Sequence, residues 1–382
     1  MVKKEKSKRL TRLESTEKAV ENIEPLKPTF AKPTIICVGE YMAKILLRGY
    51  LGDRKSEPQP LFVAKNSEDI AVWSQFNLNP DSILGLDLNI DTRFWFQVLP
   101  SVINADAFVA RLKDKPIDRL RGAVIVSSLW DGIGSGLLPA LISQFKEWNT
   151  STLVFGILPS KKQIADVYLN AFSSIGLCMS KDAAPLFLLD RDQLESYVGV
   201  DRKGRMLKGN DFFNYMLEMI LTKETIVQEL LELSRSFDVR MYTVLSATGA
   251  SFGMYGSIKN ILDSALSRPL LEFDFASVSV VYVLVRLPYQ LKEKLSKGKI
   301  ELDIASWFKE KANLQTAFIS EPVYVEDAND RIDLVMFVGG FDTTGMFKTM
   351  EKKVIEIKNF LIKKGSIKDD EWRAITKSLG NA

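Results

Sequence analysis

Residues 123–136 read AVIVSSLWDGIGSG, from Ala123 to Gly136. The apolar run Ala123-Val124-Ile125-Val126 passes through Ser127 and Ser128 towards three glycines, Gly132, Gly134 and Gly136, with Ser135 between the last two. An apolar, helix-permissive segment follows, Leu137 to Trp148. Strand, glycine turn, helix is the layout that sets bare backbone N–H groups and a helix N-terminus against a phosphate. A side chain at the glycines would hold the phosphate away. An ordinary tight strand-to-helix turn has the same layout, and the stretch alone does not separate the two.

Outward from this turn, further apolar runs predict strands at Pro33–Gly39, Leu61–Ala64, Ser151–Leu158 and Leu186–Leu189. Asn66-Ser67-Glu68 follows the second, and Asp190-Arg191-Asp192 follows the last. Amphipathic helical stretches, such as Lys161–Phe172 and Gln193–Tyr197, lie between them. Buried strands alternating with helices predict a doubly wound, mostly parallel α/β sheet. In such sheets the ligand lies at the carboxyl ends of the strands. Asn210 to Ser236 has no Pro or Gly and carries apolar residues at helical spacing. It predicts one long central helix of about 40 Å. Strands at Val278–Leu287, Ala317–Val325 and Ile332–Gly339, with a charged helix over Pro288–Lys311, predict a smaller α+β C-terminal domain. Met346–Ile362 is an amphipathic helix, either packed on that domain or presented to a partner.

The chain has 382 residues, 46% of them hydrophobic, enough for two domains or one large domain with extensions. Its net charge of +3, from 51 basic and 48 acidic residues, is too balanced to imply a nucleic-acid partner, and none is expected. It has no histidine, which removes Ser-His-Asp triads, Cys-His nucleophiles and histidine metal sites. Cys37 and Cys178 have no metal-ligand spacing and fit a reducing cytoplasm, the localisation expected. The longest strongly apolar run, Val278–Leu287, is far too short to span a bilayer. Lys3, Lys4, Lys6, Lys8, Arg9 and Arg12 mark residues 1–32 as a mobile basic arm. It is either a solvated tail or a peripheral contact with acidic lipid or an acidic partner.

Taken in order, these landmarks resemble the tubulin/FtsZ superfamily over about residues 34–342. The family's GGGTGSG falls on Trp130-Asp131-Gly132-Ile133-Gly134-Ser135-Gly136. Its second phosphate-side loop looks like Asn66-Ser67-Glu68. The guanine loop P-N-D-x-L falls on Asp190-Arg191-Asp192-Gln193-Leu194, and the catalytic loop resembles Phe237-Asp238-Val239-Arg240. S-P-L-L-E resembles Arg268-Pro269-Leu270-Leu271-Glu272. The resemblance implies a GTP/GDP site with Mg²⁺ and head-to-tail self-assembly. In that arrangement Asp238 of one copy positions the attacking water in the site of the next. Gly39, Asn66, Ser67, Glu68, Gly132, Gly134, Ser135, Gly136, Arg191 and Asn214 are the implied nucleotide contacts. Asp238 equally reads as a helix-end turn. Asn214 and Asp211, further candidates for the base, equally read as a solvated face and a helix start. The implied organisation is a basic arm (1–33), a GTPase-like domain (34–208), a central helix (209–236), a catalytic-loop and C-terminal domain (237–344), and a helical tail (345–382).

The departures lie on the phosphate and base sides. The first loop is reduced to Gly39-Glu40-Tyr41-Met42-Ala43, where Tyr41 and Met42 must point away from a ligand. Glu40 and Asp131 add negative charge beside a triphosphate, at a cost of several kcal/mol at an effective dielectric near ~20. A bound cation reverses that sign, which makes Asp131 a candidate Mg²⁺ contact. Gly85-Leu86-Asp87-Leu88-Asn89, the third loop, offers few bare amides. Arg191 replaces the family asparagine and has donors only; it can face the guanine O6/N7 edge instead, with Asp190 or Asp192 accepting from the other edge after a one-residue shift. Two readings follow. One is a divergent cytoskeletal protein that binds GTP weakly and assembles, with slow or absent hydrolysis. The other is a nucleotide-free pseudo-GTPase, a scaffold or partner of a homologous filament.

Overall fold

The computed structural model describes residues 32–50, 60–66, 80–87, 89–103, 105–115, 117, 121–180, 184–312, 314 and 317–380. Residues 1–31 of the expected arm, and Ser67 and Glu68, lie outside the described residues. The first half comprises β1 (Thr34–Val38), α1 (Glu40–Tyr50), β2 (Leu61–Ala64), β3 (Ile83–Gly85), α2 (Trp95–Val102), α3 (Asp106–Lys113), β4 (Ala123–Ser128), α4 (Gly132–Glu147), β5 (Thr152–Leu158), α5 (Ala165–Ser180) and β6 (Leu186–Asp190). Next come α6 (Arg191–Ser196), a hairpin of β7 (Val198–Val200) and β8 (Met206–Lys208), α7 (Gly209–Leu221) and α8 (Ile226–Phe237). The remainder is β9 (Met241–Ser251), α9 (Phe252–Tyr255), α10 (Ile258–Leu266), β10 (Val280–Pro288), α11 (Lys297–Ala312), β11 (Phe318–Ile319), β12 (Val323–Val325), β13 (Arg331–Gly339), α12 (Thr344–Lys363) and α13 (Asp369–Gly380).

One sheet runs through the chain in the order β11-β10-β13-β9-β6-β5-β4-β1-β2-β3, with β12 also beside β10. From β3 to β6 every pairing is parallel, as the alternation of apolar runs and helices predicts. β9 continues the sheet in parallel beside β6, and β13 then turns it antiparallel. The expected nucleotide and C-terminal halves therefore share one continuous sheet. Successive side chains of a strand point to opposite faces. Ile36 and Val38 accordingly join α2, α4, α5, α12 and α13 in one core. Ile35 and Cys37 join α1, α6, α7 and α8 in a second core on the other face. Burial on both faces is why these strands read as unbroken apolar runs.

The expected long central helix is two helices, α7 and α8, broken at residues 222–225. The sequence has neither Pro nor Gly there, and the break comes instead from threonine and from a tertiary ion pair. Thr222 Oγ1 donates to the Met219 carbonyl at 2.6 Å, and its N–H is shared between the carbonyls of Glu218 and Met219. Such side-chain bonds compete with helix continuation. Glu224, in the turn, pairs with Arg121 at 2.5 Å, just ahead of β4. The 346–362 helix packs on its own chain: Phe347, Met350, Val354 and Leu361 are buried, and Phe347 meets Phe172 of α5 edge to face. α13 was not anticipated. Its Trp372 stacks on Phe172 at 5.2 Å, and its Ile375 lies over the bare Cα of Gly176. Among the described residues no helix is long and apolar enough to cross a membrane.

Candidate functional site

The glycine turn joins the carboxyl end of β4 to the N-terminus of α4, as expected. Asp131 is the N-cap, with extended backbone (φ −95°, ψ 155°). Its Oδ1 accepts from the Gly134 N–H at 2.6 Å, and Ser128 Oγ donates to its Oδ2. Ser135 donates twice to the Asp131 carbonyl, from N at 2.9 Å and from Oγ at 2.6 Å. An N-cap carboxylate satisfies the same orphan amides that an anion would use. The glycines are also explained by the chain itself. A Cβ on Gly134 would lie 2.0 Å from the Ser128 carbonyl, and one on Gly132 would lie 2.2 Å from the Thr92 carbonyl. Gly39 has φ +88°, and a Cβ there would meet Ser128 Oγ at 2.9 Å and Asp131 Oδ2 at 3.1 Å. Burial raises the Asp131 carboxyl above its ordinary value, and Glu40 adds to the rise.

A cavity of about 570 Å³ opens beside this turn, at the carboxyl ends of β1, β2 and β4. Gly39, Lys44, Lys65 and Asp131 line it, together with Glu40, Tyr41, Thr92 and Trp130. Lys44 pairs with Glu40 at 2.5 Å, and both side chains are mostly exposed. Lys44, Lys65 and Thr92 were not singled out from the sequence; a lysine one turn into the helix after a strand-end glycine was the available signal for the first. Asn66 follows β2 and is half-buried. Met42 points away from the cavity into the core, but Tyr41 lines the cavity. In the third loop, Arg111 donates from Nη1 to the Gly85 carbonyl and to Asp87 Oδ2, each at 2.8 Å, and from Nη2 to the Leu86 carbonyl at 2.9 Å. Leu88 lies outside the described residues.

On the base side, Arg191 opens α6 and rests against two rings, its guanidinium carbon 5.0 Å from the Tyr41 centroid and 5.1 Å from that of Trp130. Burial and the neighbouring Glu195 push the Tyr41 phenol up to about 12. Asp190 caps α6, accepting from the amides of Asp192 and Gln193. Asn214, on α7, donates from Nδ2 to the Ile45 carbonyl of α1 at 2.8 Å. Asp211, in the first turn of α7, is exposed.

Asp238 lies at the opposite end of the strands from the cavity, where Arg240 leads into β9 and the Arg240 carbonyl accepts from the N–H of Leu186, the first residue of β6. It ends α8 in a left-handed conformation (φ 52°, ψ 35°), with its side chain 92% exposed and 3.9 Å from Arg240 Nη2. Since α7 ends at Leu221, residues 222–225 form the turn before α8, and Glu224 in that turn, paired with Arg121 just ahead of β4, lies at the same amino-terminal ends of the strands. Among the described residues, no cluster of three or more His, Cys, Asp or Glu is arranged to hold a metal ion.

No protein-family model matches the sequence, and no curated protein is significantly similar to it. Solved structures are similar. CetZ1 from Haloferax volcanii, a GDP-bound monomer, superposes with a TM-score of 0.64 at 18% identity, covering 86% of this chain and 99% of its own. CetZ from Methanosaeta thermophila gives 0.67 at 16% identity, with 91% and 97% coverage. A GTPγS-form protofilament of TubZ from Bacillus thuringiensis serovar israelensis gives 0.59 at 14%, with 87% and 94%. At these identities the likeness is one of fold, and it spans almost all of each neighbour. The order of strands, the cavity at their carboxyl ends and these neighbours together give the chain the fold of the tubulin/FtsZ superfamily.

Proposed function

We propose that the chain is a divergent tubulin/FtsZ-type cytoskeletal protein that holds GTP or GDP weakly in the strand-end cavity and assembles head to tail, with slow or absent hydrolysis. One observation carries this reading. A cavity lies at the carboxyl ends of β1, β2 and β4, beside the N-terminus of α4, where Asp131 lines it and holds the Gly134 N–H. A nucleotide phosphate must displace that carboxylate or share it with a cation; Asp131 would be the residue to hold Mg²⁺, whose charge would relieve the repulsion. The GDP-bound CetZ1 and the GTPγS-form TubZ protofilament support the nucleotide and the assembly. The placement of Asp238 and Glu224 at the amino-terminal ends of the strands, opposite the cavity, supports their meeting the cavity of a second copy, where either acid would position water.

A nucleotide-free scaffold, partnering a homologous filament, is favoured by a different observation: the chain's own backbone already accounts for the close approach at Gly132 and Gly134. Calorimetric titration of the full chain with GTP, with and without Mg²⁺, separates the readings. Binding with a Kd of about 0.1–1 mM, tightened by Mg²⁺, supports nucleotide retention. Absence of heat at millimolar GTP in both buffers refutes it in favour of the scaffold.

A further inference from the structure

The cleft where a base would be read is closed by the chain itself. Tyr41 and Trp130 meet edge to face, 4.6 Å between centroids, and Arg191 rests against both. Arg191 Nε donates to Glu195 Oε1 at 2.7 Å, and Tyr41 Oη donates to the same oxygen at 3.2 Å. Guanine recognition needs acceptors for N1–H and N2–H; arginine carries only donors, which match the O6/N7 edge alone, and Glu195 and the two rings hold the Arg191 guanidinium. The acceptors on either side of Arg191 are engaged: Asp190 by the amides of Asp192 and Gln193, and Asp192 by the Lys161 N–H at 2.8 Å. Asn214 Oδ1 has no hydrogen-bond partner among the described residues, but it is buried, and Asn214 is tied to α1 through Ile45. By contrast, Lys44, which is paired with Glu40, and Lys65 line the cavity and are the cations there that would meet a phosphate.

We infer that this site selects its ligand by polyphosphate charge and not by base, with Arg191 as the residue that removes base discrimination. The inference rests on the cavity being a phosphate site, as proposed above. GTP, ATP and inorganic tripolyphosphate then bind alike. A base, with its edge unread, remains outside the Tyr41–Arg191–Trp130 cluster.

The test is competition calorimetry with the three ligands on the full chain and on its Asp131→Asn variant, where binding is expected to be tighter. Affinities agreeing within about threefold support the inference. An Arg191→Ala variant, its fold checked by circular-dichroism melting, exposes both rings. Stacking on them should favour GTP and ATP over tripolyphosphate by about tenfold. GTP bound about tenfold or more above both ATP and tripolyphosphate by the unmodified chain overturns the inference and leaves the nucleotide reading standing. No binding of any ligand by either protein overturns both.

Discussion

Replacing Asp131 with asparagine removes one charge and little else. Asparagine is as good an N-cap as aspartate, so the Gly134 N–H keeps an acceptor. A phosphate that reaches that amide lies within about 5 Å of the present carboxylate, where two unit charges repel by about 3 kcal/mol at an effective dielectric near ~20. The cavity is open to water, so a realised gain of about 1.4–2.7 kcal/mol is expected, or about ten- to a hundredfold tighter GTP binding without Mg²⁺. Burial raises the Asp131 carboxyl, so the unmodified protein should bind better as the pH falls towards that raised value. The variant lacks this component, and the ratio of the two affinities should shrink with falling pH. Stability moves in the same sense. A carboxyl that holds its proton more tightly in the folded state than in the unfolded chain loses stability as pH rises from its ordinary value of 3.8 through the raised one. Asp131→Asn should therefore melt higher than the unmodified chain at pH 7, by a margin that closes on acidification. Calorimetry and thermal melts across pH 5–8 read both effects. Equal or weaker GTP binding by the variant, with a pH profile unchanged from the parent, would refute the reasoning.

If the assembled protein hydrolyses GTP, Asp238→Ala or Glu224→Ala should cut turnover severalfold and leave binding intact; equal turnover in both variants removes these two acids from the reaction. Asp333 is buried, bonded to Tyr215 Oη at 2.8 Å and the Gly249 N–H at 2.7 Å, and paired with Arg286 at 2.8 Å. Asp333→Ala strands Arg286 and should cost about 3–5 kcal/mol in urea unfolding, while adding Arg286→Met should recover much of it. Trp372→Ala removes the ring stacked on Phe172 and should destabilise the chain by about 3–5 kcal/mol. A loss under ~1 kcal/mol would mean that α13 is not docked in solution.

The parallel half of the fold was legible because its strands are buried on both faces, so 123–128 and 152–158 announce themselves as apolar runs closed by turn residues. The glycine turn was placed correctly for the same reason. Its internal geometry was not legible, because the bond from the Gly134 N–H to Asp131 Oδ1 is set by a side-chain torsion. The Arg191 cluster joins residues 41, 130, 191 and 195, contacts that no local pattern encodes. The break at 222–225 was hidden because it depends on Thr222 bonding back to Met219 and on Glu224 meeting Arg121, a residue 103 positions away. α13 was missed because Trp372, Ile375 and Leu379 are few apolar anchors in a charged tail, and their spacing acquires meaning only against α5.

A crystal structure of the full chain grown with millimolar GTPγS and Mg²⁺ bears most directly on whether the strand-end cavity is still a phosphate site. Phosphate density is expected there, with the Gly134 N–H bonded to a phosphate oxygen and the Asp131 carboxylate no longer capping it. An empty cavity, with Asp131 still capping Gly134, would contradict it.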